Sequence, residues 1–177
     1  DYVIICGDVG VCGFSAEEVE TRRILRELPV TTLFIDGNHE NFEQLNSYAE
    51  EEWNGGKVHK IRPSVIHLMR GQVFTIAGKK IFTFGGAKSH DISGGILDLN
   101  DPDFKNKRKA LEKGWKPYRI NHLNWWEREL PTENEIDVFN GLLSENTMYY
   151  YNQLDENDKK SYVAIYSSFM SFDESVV

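Results

Sequence analysis

Two apolar segments constrain this chain most; each ends in a glycine-bounded polar loop, and one capped helix joins them. Tyr2 to Cys6 is apolar, β-rich and bounded by Gly7; Val30 to Ile35 repeats the pattern and ends at Asp36-Gly37. Continuous apolar runs of this length read as buried strands of the parallel type. Between them, Ser15-Ala16-Glu17-Glu18 is a capping box, in which the serine hydroxyl and the glutamate three residues on satisfy orphan amides reciprocally. The helix it opens reaches Leu28, and Pro29 stops it. If the two strands are parallel neighbours in a β-α-β unit, both polar loops leave the sheet at one edge. In open α/β sheets, the crevice outside the carboxyl ends of the strands is where ligands bind.

The remaining chain reads as a series of short elements. Phe42 to Tyr48 suits a short helix. Val65 to Leu68, Gln72 to Ala77 and Lys80 to Phe84 read as three strands of a meander, with Gly71 and the Gly78-Lys79-Lys80 segment at the turns. Gly85-Gly86 ends the meander in a polar loop, Ala87 to Asn100. Asp101-Pro102 suits a helix N-cap followed by an N1 proline, and Gly114 suits a stop. Thr132-Glu133-Asn134-Glu135 is a second capping box, opening a helix to Leu143. Beyond Ser144 the pattern changes: residues 144–177 form a divergent tail, of which Ser161 to Phe172 suits strand or helix.

The chemistry sits in the two polar loops. Gly7-Asp8-Val9-Gly10 follows the first strand and Gly37-Asn38-His39-Glu40 the second. Asp8 brings a carboxylate, Asn38 a carboxamide oxygen and His39 an imidazole. A carboxylate can bridge two cations held ~3.5–4 Å apart, the spacing of two-metal phosphoesterase sites. An amide oxygen completes a metal site without adding charge that would repel phosphate. A histidine beside the metals can protonate a leaving oxygen. Either tetrapeptide alone reads as a turn or a helix cap. The two together, each after an apolar strand and linked by one helix, read as a site.

At these residues the chain resembles the calcineurin-like metallophosphoesterases. CGDVG matches that family's GD-x-G motif and GNHE its GNH-[D/E] motif. The likeness continues through IRPSVIHLMRGQVFTIAGKKIFTFGGA, SHDISGGILD and YRINHLNWWERELPTENE, in the manner of a bacterial or phage-type branch. It covers residues 1–143. It implies an α/β fold, a layered α/β/β/α sandwich with mixed sheets. It also implies metal-dependent hydrolysis of a phosphomonoester or phosphodiester at two divalent ions, with Mn, Fe or Zn suited to mixed nitrogen and oxygen ligands. By the resemblance, Asp8 would bridge the metals, Asn38 would bind the second, and His39 would act as the acid or bind the scissile phosphate. Glu40 would orient His39. His90, beside Asp91 in the glycine-rich loop after Gly85-Gly86-Ala87, is a candidate for substrate contact.

The family's D-x-H motif, its later TH-x-P histidine and its GH-x-H motif have no counterpart here. The chain also lacks an initiator Met and opens directly into a strand. The expectation is therefore a domain whose catalytic set is incomplete at both ends. A non-catalytic scaffold or binding module is the alternative. His59 and His67, in or near strands, suit structural roles. His122, with Trp125 and Trp126, suits a flap over the site. Cys6, closing an apolar run, suits a buried thiol.

Composition narrows the partners. With 28 Asp and Glu against 20 Lys and Arg, the net charge of −8 gives no general attraction to nucleic acid or to an anionic membrane. The basic stretch Lys105 to Lys113 reads as a solvated helix face. No apolar run is long enough to span a bilayer. Two cysteines, Cys6 and Cys12, build no disulfide scaffold and suggest a reducing, cytoplasmic setting.

Overall fold

The computed structural model describes residues 1–142, 152–156 and 159. The divergent tail, and the boundary drawn for it after Leu143, fall almost wholly outside them.

The first β-α-β unit forms as its pattern demands. Strand β1 (Tyr2–Cys6) lies parallel to β2 (Thr31–Ile35), with Cys6 opposite Ile35. Helix α1 (Ala16–Glu27) joins them, and both halves of its capping box are made. β1 departs from the reading in one respect. It pairs only with β2 among the described strands, at the edge of the described sheet, and Tyr2 and Val3 are each 45% exposed. Cys6 is consequently exposed rather than buried; the buried thiol is Cys12.

A five-stranded mixed sheet grows from this unit in the order β1-β2-β5-β4-β3. Strand β3 (Glu50–Trp53) and β4 (Gly56–Arg62) form a hairpin that the apolar pattern did not announce. Its turn, Asn54-Gly55, has both residues at positive φ, the two-residue hairpin geometry that Asn-Gly favours. β5 (Val65–Leu68) is not the first strand of a meander: it inserts beside β2 in parallel and pairs with β4 antiparallel. Its four residues are all buried, which only a central strand achieves. The expected meander thus reduces to a separate hairpin of β6 (Gln72–Ile76) and β7 (Lys79–Thr83).

Period-two alternation sorts the core into two faces. Phe34, Ile61 and Val65 point to one side, where they pack with Leu25 of α1, with Phe42 and Leu45 of α2 (Phe42–Leu45), and with Trp126. Leu33, Ile35, Ile66 and Leu68 point to the other, against Phe74 and Ile76 of the β6–β7 hairpin. Phe82 and Phe84 then receive Phe139 of α4 (Glu133–Leu142), with ring centroids 6.1 and 5.3 Å apart. The layers therefore run helix, mixed sheet, hairpin, helix, the α/β/β/α order.

The segment between β7 and α4 carries two smaller surprises. Ile96–Leu97 (β8) and Arg119–Ile120 (β9) pair in parallel, so the loop after Gly85-Gly86 is not wholly irregular. Helix α3 starts at Phe104 rather than beside Pro102. Asp101 Oδ1 accepts the Asp103 N–H at 2.8 Å, forming a local turn that delays the helix by two residues. α3 ends at Gly114, and none of its residues is buried.

Candidate active site

Because β1 and β2 are parallel and in register at their ends, the Asp8 and Asn38 loops emerge side by side. The two loops are locked together. The His39 N–H donates to Asp8 Oδ1 at 3.2 Å, and the Val9 N–H donates to Glu40 Oε1 at 2.8 Å. Gly37 is required by this approach, since a Cβ there would collide with Asp8 Oδ1. Asp8 itself sits at φ 51°, a conformation that costs a non-glycine residue energy and concentrates at functional sites. It is exposed, and among the described residues Oδ2 has no hydrogen-bond partner.

Asn38 is half-buried, and its Nδ2 donates to Ser89 Oγ at 3.2 Å. Ser89 is held in turn by Glu129, whose Oε1 accepts the Ser89 N–H at 2.9 Å and whose Oε2 accepts the Ser89 hydroxyl at 2.6 Å. With its nitrogen so engaged, the Asn38 amide turns its oxygen away from Ser89. The site thus offers two oxygen donors, one from each loop, and oxygen donors suit divalent cations. Two such donors could supply part of a ligand set. No cluster of three or more His, Cys, Asp or Glu side chains able to hold a metal occurs among the described residues.

His39 is exposed and lines a cavity of about 250 Å³ together with Glu18, Asn41, Arg119, Asn124 and Trp126. Arg119 closes one wall and is held by Asp91 through two hydrogen bonds of 3.0 and 2.6 Å. His90 lies between Ser89 and Asp91 and is exposed; it is not among the residues that line this cavity. Glu40 is fully buried, and the contact it makes is with the Asp8 loop. Burial pushes its carboxyl up to about 7, against the Val9 N–H and with help from Asp36 and Asp8. Among the described residues, its Oε2 has no hydrogen-bond partner.

Behind the loops lies a second polar group that the sequence did not signal. His67 Nε2 meets Asp36 Oδ1 at 2.9 Å, and Arg70 Nε donates to Asp36 Oδ2 at 2.6 Å. Although burial opposes it, Arg70 and His67 hold the Asp36 carboxyl well below the usual range. His59 Nδ1 lies 3.1 Å from His67 Nδ1, and burial followed by the neighbouring His67 lowers its pKa to about 4. His122 does not itself line the His39 cavity, although Leu123, Asn124 and Trp126 beside it do; it sits at φ 58°, with Nδ1 2.5 Å from Glu43 Oε1. Trp126 is buried in the core face of the sheet, while the His122 side chain is exposed.

Ser89 and Glu129 are the residues that sequence reasoning missed. They are 40 positions apart, and neither a lone serine nor a lone glutamate in a polar stretch carries a periodic signal.

A layered α/β fold with polar loops converging at the carboxyl ends of its parallel strands is the architecture of enzymes that bind ligands outside that edge. The model of the calcineurin-like phosphoesterase family matches residues 1–166, and the chain belongs to that family. Membership points to a phosphoesterase hydrolase that uses divalent metals and takes a phosphate ester as substrate. No curated protein and no solved structure matches the chain. Among the described residues, no helix is long and apolar enough to cross a membrane.

Proposed function

We propose that this chain carries the core of a two-metal site for hydrolysis of a phosphomonoester or phosphodiester. In this reading Asp8, through its carboxylate, and Asn38, through its amide oxygen, would hold the divalent cations, and His39 would be the catalytic acid. The observation that carries it is the pairing of the two loops. Asp8 presents a carboxylate oxygen with no partner among the described residues, and Asn38 has its nitrogen tied back to Ser89. When bound, the cations supply Lewis acidity toward the phosphoryl oxygens and the attacking water; Mn, Fe or Zn suit the donors. The chain's own part is orientation. Glu40 fixes the Asp8 loop from beneath, and His39, on the solvent side, delivers a proton to the leaving oxygen. Arg119, held by Asp91, bounds the cavity in which the leaving group sits. His90, exposed beside Ser89, remains the candidate for a further substrate contact.

Paired substitutions test this assignment with a generic aryl phosphodiester and Mn²⁺. His39→Ala should lower turnover ~10²–10⁴-fold while leaving metal affinity nearly unchanged. The loss should shrink with esters whose leaving groups need no protonation. Asn38→Ala should weaken metal binding as well as rate. If His39→Ala loses metal and Asn38→Ala does not, the two roles are reversed. If neither substitution changes metal binding or turnover, the scaffold reading takes the place of the enzyme.

A further inference from the structure

An asparagine ligand poses a problem of orientation. Its amide is nearly isosteric under a half-turn, yet only the oxygen can ligate a cation; the NH₂ end is a donor and repels one. A contact that selects the flip before the metal arrives favours its binding. At Asn38 that selection runs through two buried residues, Ser89 and Glu129, which are 3% and 2% exposed.

Ser89 has a single hydroxyl proton. A carboxylate has only acceptor capacity, so the proton must go to Glu129 Oε2, and the second oxygen takes the Ser89 N–H. The Ser89 oxygen is then left only with lone pairs toward Asn38. Asn38 answers by donating Nδ2, which turns Oδ1 away. The chain of bonds is directional from end to end, and the direction is set by the carboxylate.

The cost of that carboxylate argues for its purpose. Among the described residues no cation pairs with the Glu129 side chain, and burying an unpaired carboxylate is expensive. A glutamine would fill the same space without the charge. Its NH₂ could donate to Ser89 Oγ, however, freeing the hydroxyl proton to point at Asn38 and favouring the wrong flip. The backbone around Glu129 is correspondingly fixed. It lies in a single 3-10 turn, Glu127–Glu129, and a Cβ on Gly86 would collide with its carbonyl oxygen. Gly86 in turn donates its N–H to the Asp36 carbonyl at 2.7 Å, at the root of the Asn38 loop.

We propose that Glu129 is a positioning residue that, through Ser89, fixes the Asn38 amide with its oxygen toward the metal-binding edge; this rests on the reading of Asn38 as a ligand. Two measurements test it. The first is Mn²⁺ affinity, read from the free-ion EPR signal, for the unaltered protein and for Asn38→Ala, Glu129→Gln and Glu129→Asp. Glu129→Gln should weaken Mn²⁺ binding about 10–100-fold, the usual effect of losing a partner behind a metal ligand, with the urea midpoint unchanged or raised. Glu129→Asp, which keeps an acceptor-only group, should recover part of the affinity. The second measurement needs no metal: hydrogen exchange of the Asn38 side-chain amide, followed by NMR, should be slow in the unaltered protein and faster in Glu129→Gln. Equal exchange in both proteins overturns the positioning role. So does an unaltered Mn²⁺ affinity in Glu129→Gln when Asn38→Ala binds more weakly. If Asn38→Ala itself binds Mn²⁺ like the unaltered protein, Asn38 is not a ligand and both readings fall together.

Discussion

Two Asp–His groups stand at the same end of the sheet, within one loop of each other, and they are held in opposite ways. Asp36 and His67 are buried, in contact with one another, and their charge is balanced by Arg70. Asp8 and His39 are exposed and joined through a backbone N–H, and among the described residues one Asp8 oxygen has no partner. The residue types are the same and the surroundings are not. In the buried group both Asp36 oxygens are engaged, one by His67 and one by Arg70, so the carboxylate has no oxygen turned to solvent. In the exposed group the backbone holds the side chains in place, so their polar atoms remain available. An aspartate beside a histidine is therefore structural or functional according to what fixes it.

The largest effect should come from breaking the buried group. Arg70→Met leaves Asp36 as an uncompensated buried charge, and removal of one partner from such a pair costs about 3–5 kcal/mol. Urea unfolding reads this directly. Asp8→Asn at the exposed group should leave the urea midpoint nearly unchanged. If Asp8→Asn destabilises as much as Arg70→Met, the contrast between the two groups fails.

A pH series sharpens the same contrast. The His59 pKa is lowered to about 4 in the folded protein from an ordinary 6.5. The unfolded chain therefore takes up a proton between those values that the folded chain does not. His59 thus stabilises the fold fully above pH 6.5, relative to its protonated state, and that advantage is lost as pH falls from 6.5 toward 4. Glu40, raised to about 7, runs the other way and stabilises as pH falls through the same window. The difference between the unaltered protein and His59→Phe isolates the first effect. It should change by on the order of 1–3 kcal/mol between pH 7 and pH 4.5. A pH-independent difference would mean that His59 is not desolvated as its burial implies.

The smallest effect belongs to a third acid–histidine pair. His122 meets Glu43 at the surface, with both side chains about 60% exposed. Solvent screens such a pair, so His122→Ala should change stability by less than ~1 kcal/mol. A loss comparable to that of Arg70→Met would show that the turn around His122 carries packing well beyond its ion pair.

What the sequence made legible follows from range. The β1-α1-β2 unit, its capping box and the placement of Asp8, Asn38 and His39 on consecutive loops are local, and each is written in adjacent residues. The β3–β4 hairpin was equally local, and its Asn54-Gly55 signal stood in plain view; the charged run Glu50-Glu51-Glu52 hid the strand because β3 is an exposed edge. Neither the insertion of β5 beside β2 nor the Arg70–Asp36–His67 group could be read, because parallel pairing carries no turn that fixes the register. The exposure of Cys6 depends on which strand lies at the edge, and that too is settled by topology. Ser89 and Glu129 meet only because the loop after β7 folds back on the turn before α4.

The most direct test of the account is where a cation binds. Crystals soaked in MnCl₂ and measured at the manganese edge should give an anomalous peak within coordination distance of the Asp8 carboxylate and Asn38 Oδ1, and Asp8→Asn should remove it. A peak instead among Asp36, His59 and His67, or none at Asp8 under conditions that load manganese elsewhere, would contradict the assignment of the exposed group as the site and the buried one as scaffold.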